Sequence, residues 1–318
     1  MSNELIFNNY LINPPEHISP TYRLSPFNNH NIYKKMDKNI APCLFDDYLK
    51  DRFPYKNIIY TKSGRESLKI AIENLKLKKD DIVTIFTTTG NLYISSCVTN
   101  TIEKTCKWSR KVSKKTKAIL VNHEFGFCFQ NLISLKKYRI PIIEDFAYSF
   151  NSSNIENSSG YVGDFLIFSL SKFFPIQTGG LLLYDQKYYI KEELTKQFKK
   201  YIKNKMNSFV KSIDAISKQR IYNYKKLSSL FERLDCFPYF KLTDQTVPGV
   251  FMFNALNEVD LNLLKIFFND NGVESSVFYG KNAFFIPVHQ NLNNNDFNYF
   301  FNLMKYFLRH ISHDNKKI

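Results

Sequence analysis

The sequence predicts an α/β protein: a large three-layer domain on a mainly parallel sheet, followed by a small C-terminal α+β domain. Three observations carry this. Apolar extended runs alternate with amphipathic helical stretches from residue 58 to about 185, the βαβ pattern of a parallel sheet. Runs such as "AILV" at 118–121 and "IPII" at 140–143 are apolar without alternation, as strands covered on both faces require. After residue 186 the chain turns long, basic and amphipathic, and its tail returns to short strands and helices.

The elements follow in order. Residues 1–55 read as irregular, with Pro14, Pro15, Pro20, Pro26 and Pro42 and many asparagines. "NIIYTKSGRESLKIAIENLKL" reads as a short extended piece, a Ser-Gly turn and a helix, with Leu68, Ala71, Ile72 and Leu75 at helical spacing. "DIVTIFT" predicts a strand and "ISSCVTNTIEKTCK" a helix. "KAILVNHEF" and "IPIIEDFAYSF" predict strands around a short helix, "NLISLKKY". "GDFLIFSLS" and "GGLLLYD" are two further strands, and residues 187–234 form two or more helices. The tail holds a strand ("GVFMFNAL"), a helix ("DLNLLKIFFNDNG"), a short strand ("AFFIPV") and a closing helix from about Asn294. The expected domains are 1–200, an N-terminal segment with the large domain, and 201–318, a helical connection with the small domain.

Composition narrows the function classes. The 318 residues are 44% hydrophobic and 16% aromatic, which argues for a packed globule and against disorder. The formal charge of +15 favours anionic partners. Its lysines spread over 76–79, 111–117 and 188–205, as on solvated surfaces. No helix-turn-helix, zinc-finger or aromatic RNA-binding signature accompanies them, so a nucleic-acid partner is not expected. The five cysteines form no C-x-x-C pair, consistent with a reducing compartment. "MSNELIFNNYLINPPEH" lacks the pattern of a signal peptide. No apolar run approaches the roughly 20 residues of a membrane span. A soluble cytoplasmic protein without a membrane partner is the expectation.

Four places could carry chemistry. Glu144 and Asp145 close an apolar strand, where ligands bind in open α/β sheets; solvated strand-end acids are the plainer reading. A nucleotide triphosphatase acid is disfavoured, because G-x-x-x-x-G-K-[ST] is absent. Lys172 sits in the apolar segment "FSLSKFFPIQTGG". Its stem could pack while its head reaches water, or its desolvated amine could form a Schiff base with a carbonyl. "TKSGRESL" places Ser63, Gly64 and Arg65 at a helix start, suited to a phosphate or to ordinary capping. Ser169 or Ser171 in "FSLSK" could assist. Together, a helix-start cradle, a strand-end Asp and a Lys 27 positions later are the parts of a pyridoxal 5'-phosphate (PLP) site.

At these residues the sequence resembles the DegT/StrS family of PLP-dependent sugar aminotransferases, of fold type I, from about Ser63 to Asp185 and more faintly beyond. "SGRESLKIAI" is similar to that family's helix start, "IPIIEDFAYSF" to its Glu-Asp-x-Ala strand end, and "VGDFLIFSLSKFFPIQTGGLLLYD" to its lysine segment. "SKQRIYNYKKLSSLF" resembles a later helix. The resemblance implies Lys172 as the Schiff-base lysine and Asp145 as partner of the ring nitrogen. Ala147 would pack on the ring, and Tyr148 stands where the family often has Gln or His near the ring hydroxyl. Ser63, Gly64, Arg65 and Ser169 would hold the phosphate, with Ser171 the alternative to Ser169. Tyr93, in "TIFTTTGNLY", would stack on the ring. The family's Arg-Asn-His-Gly stretch after the Gly-Gly strand is absent, and the chain is shorter than usual. The resemblance further implies a homodimer that moves an amino group from glutamate to a nucleotide-diphosphate keto-sugar for surface glycan synthesis. The family's dehydratases carry His in place of the lysine. A non-catalytic relative and a basic nucleic-acid-binding protein are the other readings.

Overall fold

The computed structural model describes residues 20–27, 43–256 and 258–311; the irregular reading of 1–19 and 28–42, with Pro14, Pro15 and Pro42, lies outside the described residues. The chain divides into two compact units, 26–217 with 243–248, and 1–25 with 218–242 and 249–318. The boundary thus falls at 217/218, where a break at 200/201 was expected. A helix at Lys196–Phe209 (α4) stays with the larger unit because its Ile202 and Met206 are buried in that unit's core.

The larger unit starts with α1 (Leu44–Arg52), inside the stretch expected to be irregular. Phe45 and Leu49, one helical turn apart, are its buried side chains. The other elements are β1 (Lys56–Thr61), α2 (Gly64–Asn74), β2 (Ile82–Thr87), α3 (Ser96–Glu103), β3 (Lys107–Ser109), β4 (Thr116–Asn122), β5 (Ile142–Asp145), β6 (Phe165–Ser169) and β7 (Gly180–Asp185), with α4 after them. Short 3-10 turns cover Ile133–Tyr138 and Leu170–Lys172. The seven strands lie in the order β1-β7-β6-β5-β4-β2-β3. β3, β2, β4, β5 and β6 pair in parallel, while β7 runs antiparallel to both β6 and β1.

Alternation along the strands feeds two cores. Leu166 and Phe168 of β6, with Leu181 and Leu183 of β7, meet α1 and α4. Phe165, Ile167, Leu182 and Tyr184 face the opposite side, with Leu68, Ala71 and Ile72 of α2 and Val98 and Ile102 of α3. Burial on both faces is why these strands are apolar without interruption. At roughly 25 cal/mol per Å2 of apolar surface, the two cores supply most of the drive to fold. "IPIIEDFAYSF" is a strand only as far as Asp145; a turn follows, with Ser149 N–H donating to the Phe146 carbonyl.

In the smaller unit, β8 (Phe237–Pro238), β9 (Phe251–Asn254), β10 (Ser276–Val277) and β11 (Ala283–Ile286) form an antiparallel sheet in the order β10-β11-β9-β8. α5 (Ile213–Phe231) leads in from the larger unit, and α6 (Leu261–Asp270) and α7 (Asn294–Tyr306) follow. Residues 20–25 join it: Tyr22 bridges Val273, and Leu24 N–H donates to Glu274 Oε2. No helix among the described residues is long and apolar enough to cross a membrane.

Candidate active site

Strand direction gathers the predicted residues. β1, β2, β4, β5 and β6 all run the same way, so the segments after them leave from one edge of the sheet. Ser63 and α2 follow β1, and Asp145 ends β5. Ser169 ends β6, with Lys172 on the turn beyond. Tyr93 follows β2. Ligands bind at this edge in open α/β sheets.

The two carboxylates of β5 have different fates, because neighbouring side chains on a strand point to opposite faces. Glu144 turns inward. It accepts from Gly160 N–H at 3.0 Å, Gly163 N–H at 2.6 Å and His123 Nε2 at 3.0 Å. Nδ1 of His123 accepts from Phe129 N–H, so the imidazole proton sits on Nε2 and points at Glu144. Glu144 is thus a structural anchor, and a Cβ on Gly163 would lie 2.8 Å from its side chain. Asp145 takes the other direction. Its Oδ1 accepts Ala147 N–H at 2.9 Å. Burial pushes its pKa above the ordinary carboxylate range, opposed by that hydrogen bond and by His123. A buried carboxylate in this condition favours a proton or a cationic N–H partner.

Lys172 lies beside the segment that follows Asp145. Its Nζ donates to Tyr148 Oη at 2.8 Å and stands 4.6 Å from the centre of the Tyr148 ring. Ala147, between Asp145 and Tyr148, is half-buried. The Phe125 ring packs on Tyr148 at 5.2 Å. Phe125 has φ +54°, a left-handed backbone that costs a bulky residue about 1–3 kcal/mol and recurs at functional sites.

The helix start and the end of β6 approach closely. Ser63 caps α2, its side chain accepting from Glu66 N–H, which leaves the Gly64 and Arg65 N–H groups of the first turn with no intrahelical acceptor. Gly64 fits closely there: an added Cβ would lie 3.2 Å from Ser169 Cβ and 3.4 Å from the Phe168 carbonyl oxygen. Gly180, paired with Ser169 across β6 and β7, is tighter, with a Cβ only 2.4 Å from the Ser63 carbonyl carbon. Ser63, Gly64 and Ser169 therefore share one corner. Ser171 is half-buried on the turn with Lys172. Arg65 is exposed, and its guanidinium reaches Cys97 Sγ at 2.8 Å. Tyr93 is 47% exposed on the β2–α3 connection.

Two contributors were not singled out in the sequence. His123 ends the "VNH" run and orients Glu144; its position after a strand was a readable signal. Phe125 carried none, since left-handed backbone is not expected at phenylalanine.

No protein-family model and no curated protein matches the chain. Solved structures do. PseC of Helicobacter pylori, an aminotransferase involved in the biosynthesis of pseudoaminic acid, superposes with TM-score 0.67 at 14% identity, covering 90% of this chain and 99% of PseC. A DegT DnrJ EryC1 StrS aminotransferase from Brucella abortus gives 0.64 at 11% identity, over 87% of this chain and 92% of its own. The E. coli GDP-4-keto-6-deoxy-D-mannose-3-dehydratase, with bound hydrated PLP, gives 0.64 at 15% identity, over 90% and 100%. The fold of this chain is accordingly that of the DegT/StrS sugar aminotransferases.

Proposed function

We propose that the chain is a PLP-dependent sugar aminotransferase, with Lys172 as the amine that holds the cofactor. One observation carries the reading most: the Lys172 amine lies 2.8 Å from the phenol of the residue three positions beyond buried Asp145. The donor set suits the group. The corner that a Cβ on Gly64 or Gly180 would crowd combines first-turn N–H groups with the Ser169 hydroxyl, as a phosphate needs. A desolvated carboxylate at Asp145 suits a protonated ring nitrogen.

PLP supplies an aldehyde that links covalently to amines and a ring that takes up electrons from the substrate. The protein's part is positional and acid–base. Ser63, Gly64, Arg65 and Ser169 would hold the phosphate, with Ser171 the alternative to Ser169. Asp145 would accept a hydrogen bond from the ring nitrogen and favour its protonated form. Ala147 and Tyr93 would pack against the ring. The free amine of Lys172 would take a proton from the substrate carbon and return it, worth about 100- to 10,000-fold in such reactions.

The finer reading extends the resemblance: glutamate as donor, a nucleotide-diphosphate keto-sugar as acceptor, a cytoplasmic homodimer, and a product for surface glycans. The net charge of +15 favours an anionic acceptor. The test is oxoglutarate release from glutamate by PLP-loaded protein. Release by wild type and its loss in Lys172→Ala support the reading; cofactor binding without oxoglutarate release sinks the transaminase assignment.

A further inference from the structure

We infer that the Tyr148 phenol is the positioning partner that hydrogen-bonds the Lys172 amine in both of its protonation states, held there by Phe125; this deepens the proposed reading and rests on it. The amine must serve in two states, as ammonium with only donors and as free amine with a lone pair. A hydroxyl donates and accepts, so it matches both without ionising. As ammonium, Nζ donates to Tyr148 Oη across the observed 2.8 Å. As free amine, Nζ accepts when the O–H rotates toward it. The proton gained from the substrate carbon resides on Nζ and returns from Nζ; Tyr148 loses none.

The surroundings hold the phenol in position. The Phe125 ring lies 5.2 Å from that of Tyr148. Its left-handed backbone at φ +54° is maintained by a locked turn: Phe127 N–H donates to the Glu124 carbonyl at 2.8 Å. The buried Ser149 hydroxyl, next to Tyr148, accepts from Gly126 N–H at 3.2 Å and donates to the His123 carbonyl at 2.9 Å. One side chain thus ties the strained turn to the tyrosine's segment. An unfavourable backbone thus persists against the ring whose phenol meets the Lys172 amine, as such backbones do at functional sites.

The experiment compares wild type, Tyr148→Phe and Phe125→Gly. In cofactor-free protein, competitive acetylation read by mass spectrometry reports the amine alone, with the other lysines as references. Tyr148→Phe should label Lys172 about three- to tenfold faster, the equivalent of one hydrogen bond lost from either state. With PLP bound, the single-turnover reaction with glutamate should slow about 10- to 100-fold, with a larger isotope effect from α-deuterated glutamate. Phe125→Gly should unfold at an equal or higher urea concentration than wild type, because glycine accepts positive φ, yet also label faster and react more slowly. Unchanged Lys172 labelling in both variants overturns the inference. So does a Tyr148→Phe half-reaction within twofold of wild type in an enzyme that binds PLP and transaminates. Wild type that takes up no PLP overturns the underlying reading as well.

Discussion

Glu144 allows a stability prediction that depends on no ligand. Its carboxylate is fully buried and receives Gly160 N–H, Gly163 N–H and His123 Nε2–H. Glu144→Ala leaves all three donors without an acceptor. An unsatisfied buried donor costs about 1–3 kcal/mol, and bonds to a charged acceptor lie toward the upper end. With some relief from an entering water, the expected loss is about 3–6 kcal/mol, a large part of a typical stability of about 5–15 kcal/mol. Glu144→Gln keeps one acceptor oxygen but turns an NH2 group toward a donor, so about 1–3 kcal/mol should be lost. Urea unfolding of cofactor-free protein measures both, and hydrogen exchange at Gly160 and Gly163 localises the effect. A Gln variant within about 0.5 kcal/mol of wild type, the level of an ordinary surface substitution, with both amides still protected, would refute this view of Glu144.

Four other variants test the packing and charge of the two units. Gly180→Ala should cost about 3 kcal/mol or more by overpacking, since its Cβ meets backbone at 2.4 Å. Gly64→Ala, with its first contact at 3.2 Å, should stay within about 1 kcal/mol in urea titrations yet weaken PLP binding about tenfold, a 1.4 kcal/mol effect; equal losses of stability in the two variants would count against the cradle. Asp145 has a raised pKa in the fold, so the native state keeps a proton that the unfolded chain has released. Its contribution to stability therefore falls as pH rises from the ordinary carboxylate range through the folded value. Asp145→Asn should stabilise the cofactor-free protein at neutral pH and abolish the cofactor's normal absorbance; a destabilised Asn variant would contradict the assignment. In the smaller unit, burial and the Arg220 charge lower the His289 pKa from 6.5 to about 3. The unfolded chain binds the proton first on acidification, so stability should decline by roughly 1.4 kcal/mol per pH unit across that window. His289→Gln should remove this slope, and an unchanged acid profile would refute it.

Much of the fold was legible because burial on both faces leaves a plain trace. The runs at 118–121 and 181–184 lie wholly within β4 and β7, and the run at 140–143 enters β5 at Ile142; their strand residues are buried. Ser63 was legible as a helix start because the capping hydroxyl and the apolar spacing of α2 agree. The misses have physical causes. α1 buries only Phe45 and Leu49 among five charged residues, too little for an amphipathic signature. β3 spans three residues at a sheet edge and carries almost no pattern. Residues 20–25 belong with 218–242 and 249–318 through a pairing about 250 positions away, which local periodicity does not encode. At the candidate site, Lys172 and Asp145 stood out by type and spacing. The Lys172–Tyr148 contact arises from the segments after two adjacent strands and needed coordinates to be seen.

The covalent role of Lys172 is tested most directly by reducing the PLP-loaded protein with borohydride and mapping the phosphopyridoxyl mass by peptide sequencing. The label is expected on Lys172 alone, at close to one per chain. A label on other lysines, or none on the peptide containing residue 172, would contradict it.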